Sequence, residues 1–137
     1  VPVLYIVAEL DSILPLKGMQ DMFNRNPDPK TTVVLLNADH FHFNDAIEQT
    51  HDGYKLLLGM LAEGMDEDTR HSTETMMAGM KPSSELVAGA DAYALINGLG
   101  LAHFDRELRG SQEAASFLSG DLVAMLAERH INVKLLF

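Results

Sequence analysis

The length of 137 residues, with 47% hydrophobic and 22% charged residues, is typical of one folded globular domain. The formal net charge of −10 argues against nucleic acid or an anionic membrane surface as the main partner, because both attract basic patches. The absence of cysteine excludes disulfides and cysteine-ligated zinc, and the longest apolar runs are too short to span a membrane.

Two β-branched runs separated by a helical pattern open the chain. Pro2 to Ala8 is a continuous apolar run, typical of a parallel strand buried on both faces. Apolar residues at helical spacing after Pro15 predict a helix over 15–25, and Thr31 to Leu36 predicts a second strand. The order strand, helix, strand predicts a βαβ unit over 1–43, with a parallel sheet and a right-handed crossover.

The remaining residues, 44–137, are expected to be mainly helical within the same domain. A helix is predicted over 44–62, with Asn44 as its cap. Residues 63–83 are polar and rich in Met, Thr, Ser and Gly, which predicts a loop or a lid-like excursion. The further predicted elements are a helix from Ser83 or Ser84 to about Leu108 that ends at Gly110, a helix over 111–129 with room for a break at Gly120, and a short strand or extended tail over 131–137.

Asp11 and His40 each follow the carboxyl end of a predicted strand. Ligands bind beyond the carboxyl ends of the strands in parallel sheets, and neighbouring strands bring these ends together. A carboxylate that orients an imidazole, and an imidazole that moves the proton of a nucleophile, are the acid and base of a serine-hydrolase triad. Taken singly, Asp11 suits a turn or helix cap and His40 suits an ordinary polar position. Their shared placement favours the catalytic pair.

Three segments carry a resemblance to a known family. Residues 1–15 combine a Pro-led strand, the small residue Ala8 where glycine is usual, Asp11 three positions on, and then Pro15. Asn37-Ala38-Asp39-His40-Phe41 is a small-acidic-His-aromatic turn, and residues 101–110 end in Leu-Arg-Gly after an aromatic residue. In this order they resemble the C-terminal part of the α/β-hydrolase superfamily, in particular dienelactone-hydrolase-like and platelet-activating-factor-acetylhydrolase-like proteins.

The resemblance implies an α/β-hydrolase fold and a serine hydrolase acting on a small-molecule ester or related acyl substrate. It implies no cofactor, with Asp11 as the triad acid and His40 as the base, in the chain order nucleophile, acid, base that this family shows. Phe41, His42 and Phe43, which adjoin the base, are expected to form pocket walls.

The nucleophile of such a triad is missing from the sequence. The chain contains no Gly-x-Ser-x-Gly, and in the family the elbow serine precedes every segment found here. Since the chain opens on Val1-Pro2-Val3 without methionine or a basic leader, we expect a fragment that is inactive alone and whose compartment stays open. The open edge expected at Val1–Val7 favours association, including a homo-oligomer.

A metal-binding protein is the alternative, and a non-catalytic α/β module is a third reading. Five candidate metal ligands fall within twelve residues, and zinc or non-haem iron accepts such ligands. They match no zincin His-Glu-x-x-His pattern. The five are His40, His42, Asp45, Glu48 and His51.

Overall fold

The computed structural model describes residues 2–136, which form a mixed α/β structure with a small sheet. The three strands of this region are β1 (Val3–Ala8), β2 (Lys30–Leu35) and β3 (Val133–Leu136). Its six α-helices are α1 (Leu16–Arg25), α2 (Ile47–Ala62), α3 (Glu67–Gly79), α4 (Gly89–Arg109), α5 (Gln112–Ser119) and α6 (Leu122–Ala127). Two single 3-10 turns span His40–Phe43 and Ser83–Glu85.

Val1 and Phe137, which belong to the predicted edge Val1–Val7 and to the predicted C-terminal element, lie outside the described residues. None of the described helices is both long and apolar enough to cross a membrane.

The predicted βαβ unit is confirmed at the level of its elements and pairing. β1 pairs with β2 in parallel, from Val3 opposite Lys30 to Ala8 opposite Leu35, and α1 connects the two strands. β3 runs antiparallel on the other side of β2, so the strand order is β1-β2-β3. The C-terminal element is therefore a strand and not an extended tail.

The core lies between the sheet and two of the helices. Because side chains alternate across a strand, Val33 and Leu35 share one face of β2, where they join a buried cluster with Leu95 and Leu99 of α4 and Leu126 of α6. Both strand residues have no exposed surface. The opposite face packs against α1, where the rings of Tyr5 and Phe23 meet edge to face at 5.9 Å. The sheet thus carries helices on both faces.

The prediction of a loop over residues 63–83 is wrong, because α3 occupies most of this segment. Asp66 caps this helix by accepting a hydrogen bond from the backbone N–H of Thr69 at 3.0 Å. The Thr73 hydroxyl donates to the Thr69 carbonyl at 2.8 Å, so the helix satisfies its own polar side chains. No residue of α3 is buried. Its sequence therefore lacks the apolar stripe from which helices are predicted.

Two predicted helix starts are also wrong. Asn44 ends the His40–Phe43 turn, and α2 begins after Ala46, whose φ of 55° is in the left-handed region. Residues Ser83–Glu85 form their own short turn, so α4 starts only at Gly89. The predicted ending at Gly110, with φ of 65°, and the break at Gly120 between α5 and α6 are confirmed.

Glu9, which directly follows β1, connects to β3 and to the segment that follows β2. One carboxylate oxygen accepts a hydrogen bond from Lys134 Nζ of β3 at 2.8 Å, and the other accepts from the backbone N–H of Asn37 at 3.1 Å. The Lys134 hydrogen bond, followed by that from Asn37, lowers the pKa of Glu9 below its ordinary value.

We predict that Glu9→Gln lowers the free energy of unfolding at pH 7 by about 1 kcal/mol, since a partly exposed charge-assisted pair is lost. Because the pKa of Glu9 is lower in the folded than in the unfolded state, its ionised side chain stabilises the fold at pH values above the unfolded-state pKa. This stabilisation is lost as the pH falls through the folded-state pKa. Urea unfolding should therefore show a gap between wild type and E9Q at neutral pH that closes by about pH 3. Glu128→Gln, at an exposed position, is the control; a gap that persists in acid would contradict this linkage.

Candidate active site

The carboxyl ends of β1 and β2 hold the loops of Asp11 and His40 side by side. Pairing of the two segments continues past the strands, because Glu9 N–H donates to the Leu35 carbonyl at 3.0 Å and Leu10 N–H donates to the Ala38 carbonyl at 2.9 Å. Asp11 follows directly, and His40 opens the His40–Phe43 turn. The two predicted residues are brought together despite 29 positions of separation.

The Asp11 carboxylate fixes the orientation of the His40 ring. Its Oδ2 lies 3.1 Å from His40 Nδ1, and its Oδ1 accepts hydrogen bonds from the backbone N–H groups of Ile13 at 2.9 Å and Leu14 at 2.6 Å. The Asp11 side chain is 7% exposed. Because an ionised carboxylate only accepts hydrogen bonds, this contact favours the neutral tautomer of His40 with the proton on Nδ1 and the lone pair on Nε2. The arrangement leaves a base at Nε2.

A small cavity adjoins this pair. It has a volume of about 110 Å³, and the His40 side chain is 29% exposed. Within residues 2–136, His40 Nε2 makes no hydrogen bond, so it is available to a reacting group. The cavity is mainly apolar and is lined by Ile6, Val7, Asp11, Leu14, Met19, His40 and Phe43.

The three predicted wall residues have different positions. Phe43 lines the cavity with Asp11 and His40, whereas Phe41 and His42 do not. Phe41 packs its ring against Tyr54 of α2, with centroids 4.9 Å apart, and so anchors the turn to that helix. His42 is buried, with both ring nitrogens bound to backbone: Nδ1 accepts from the backbone N–H of Asp39 at 2.9 Å, and Nε2 donates to the Val87 carbonyl at 2.8 Å.

A larger cavity of about 390 Å³ is lined by both His42 and Phe43, so two of the three predicted wall residues border a cavity. It lies between the His40–Phe43 turn and the first turns of α2 and α4, with Glu48 and Tyr93 among its lining residues. Sequence reasoning missed this cavity and also two wall residues of the smaller one: Leu14, which lies on the loop before α1, and Met19, whose spacing indicates only an apolar helix face. Neither cavity is marked by a sequence motif, since each forms where separate elements meet.

The structure corrects the metal-site alternative. Residues 2–136 contain no group of three or more His, Asp or Glu side chains positioned to hold a metal ion. β2 ends at Leu35, and the candidate ligands lie on the His40–Phe43 turn, the segment after it and α2. Instead His51 Nε2 donates to the Lys81 carbonyl at 2.8 Å, and Glu48 accepts from Gly89 N–H at 3.2 Å. The candidate ligands His40, His42, Asp45, Glu48 and His51 therefore do not converge.

Comparison with protein-family models, curated proteins and solved structures finds no match to this chain. The mixed α/β class is thus established by the elements themselves.

We predict that Asp11→Asn reverses the tautomer of His40, because an amide NH₂ facing Nδ1 favours a ring protonated at Nε2. The nitrogen chemical shifts of the His40 ring, measured in the 137-residue chain, report which nitrogen carries the proton. Asp45→Asn, at an exposed carboxylate outside this contact, is the control and should leave the shifts unchanged. A proton that stays on Nδ1 in D11N would rule out Asp11 as the orienting group.

Proposed function

We propose that this chain is the acid-and-base part of a serine hydrolase of the α/β-hydrolase type, acting on small-molecule esters or related acyl compounds. The observation that carries the proposal is the 3.1 Å contact between Asp11 Oδ2 and His40 Nδ1 beyond two parallel strands. This is the position and chain order in which such enzymes hold the triad acid and base.

The proposed mechanism assigns one task to each group. Asp11 holds the ring in the tautomer with a free Nε2 and stabilises the imidazolium when it forms. His40 Nε2 takes the proton of a serine hydroxyl as the hydroxyl attacks the acyl carbon, and gives that proton to the leaving group as its bond to the acyl carbon breaks. Water then attacks the acyl-serine, and His40 takes a proton from the water and returns it to the serine. The serine belongs to polypeptide outside the 137 residues, and the mechanism calls for no cofactor.

The apolar cavity beside His40 suits a small apolar group of the substrate close to the bond that is hydrolysed. At about 110 Å³ it is smaller than the 300–1,000 Å³ typical of a complete ligand site. It therefore accommodates one portion of a substrate. Phe43 also borders the larger cavity, so a bulkier substrate that occupies both cavities would contact this residue.

The decisive variant is His40→Ala in the protein that contains this chain together with its upstream sequence. We expect hydrolysis of p-nitrophenyl acetate to fall by at least about 10⁴-fold, as removal of a triad base does. His71→Ala, an exposed histidine of α3, is the control and should leave the rate unchanged. A fluorophosphonate probe should label a serine of the longer protein and leave the isolated 137-residue chain unlabelled.

Two outcomes would overturn the proposal. Retained hydrolysis in H40A would remove His40 from the mechanism. An upstream sequence without an elbow serine would instead favour the non-catalytic α/β module.

A further inference from the structure

Asp39 carries a buried carboxylate that the proposed reaction does not use directly. The residue is 1% exposed, and it immediately precedes His40. Its Oδ1 accepts three hydrogen bonds: from Ser12 N–H at 2.9 Å, from Ser12 Oγ at 2.7 Å and from His40 N–H at 2.6 Å. Burial of a carboxylate is costly unless hydrogen bonds compensate it, and these three provide that compensation.

Two of these three bonds reach the other loop. Ser12 directly follows Asp11, and Asp39 directly precedes His40, so the carboxylate joins the neighbours of the acid and of the base. A side chain that only capped the His40–Phe43 turn would bond within that turn, as Asp39 does to His40 N–H. The two bonds to Ser12 span 27 positions of sequence and fix one loop against the other.

The opposite side of Asp39 is also fixed. Its backbone N–H donates to His42 Nδ1 at 2.9 Å, and His42 Nε2 donates to the Val87 carbonyl, just ahead of α4, at 2.8 Å. A continuous series of buried hydrogen bonds therefore runs from Val87 through His42 and Asp39 to Ser12. This series ends one residue from Asp11.

We propose that Asp39, acting through Ser12, is a positioning residue that sets the distance and alignment of the Asp11–His40 pair. Its catalytic consequence rests on the proposed hydrolase function, whereas its effect on the pair itself does not. Displacement of a catalytic group by about 1 Å can lower the rate by about 10²-fold. Hydrogen bonds that fix the two loops beside Asp11 and His40 therefore affect the rate of the proposed hydrolysis.

The chain offers a matched control for the Ser12 contact. Ser83 donates to Asp52 in the same manner, through its N–H at 2.9 Å and its Oγ at 2.6 Å, across 31 positions of sequence. This second serine–aspartate pair joins α2 to the Ser83–Glu85 turn and touches neither Asp11 nor His40. Ser12→Ala and Ser83→Ala therefore each remove a hydroxyl bond from a serine to an aspartate, to the buried Asp39 in the first variant and to the exposed Asp52 in the second. Only the first bond lies beside the catalytic pair.

The test measures solvent exchange of the His40 Nδ1 proton and the ring nitrogen shifts by NMR in the 137-residue chain. We expect S12A to raise the exchange rate by about two- to tenfold, the effect of losing one hydrogen bond, and S83A to leave it unchanged. Asp39→Ala should raise it by at least about tenfold, and Asp39→Asn, which keeps an acceptor oxygen, should restore most of the protection.

Thermal unfolding measures the stability of each variant in parallel. If D39A does not fold, the comparison of S12A with S83A still tests the proposal. In the longer protein, D39A should lower kcat by about 10²-fold with little change in KM. An unchanged His40 exchange rate in S12A and in folded D39A, or a rise in S83A as large as that in S12A, would overturn the positioning role. Failure of the hydrolase proposal would appear as absent ester hydrolysis and would leave the exchange result intact.

Discussion

The parallel pairing of β1 with β2 is the constraint on which the site depends. Six residue pairs hold the strands in register, and two further backbone hydrogen bonds, from Glu9 and Leu10, extend the pairing beyond them. This extension matters because Asp11 and His40 lie on loops and not on the strands. A parallel pair without it would leave the loops free to separate. Backbone hydrogen bonds thus bring the two loops together, and the side-chain bonds of Asp39 to Ser12 join them beyond the strands.

Three carboxylates at this edge of the sheet perform different tasks because they face different donors. Glu9 meets a lysine and a backbone amide, which lower its pKa and connect β1 to β3. Asp11 divides its two oxygens between backbone N–H groups and the His40 ring. Asp39 binds only neutral donors, from Ser12 and the backbone of His40. A net charge of −10 is therefore compatible with a precise site, since each of these carboxylates has its own fixed donors.

The sequence predicts those features that depend on composition and spacing along the chain. β1, α1 and β2 follow from β-branched runs and from Pro15, and the proximity of Asp11 to His40 follows from their strand-end positions. Features that depend on contacts between distant residues are not predicted. The bond between Ser12 and Asp39 has no periodic signal, and α3 carries no apolar stripe. The expected metal cluster is wrong for the same reason, because backbone carbonyls and amides engage its side chains.

The sheet also restricts where a further strand could pair. β3 occupies the far side of β2, so an added strand can join this sheet beside β2 only by replacing β3. The N–H groups of Val3 and Glu9 point towards the β2 side, and by alternation those of Leu4, Ile6 and Ala8 point away from it. No strand within residues 2–136 accepts these groups. Under the proposed function, a strand that carries the serine can therefore pair with β1 at this edge.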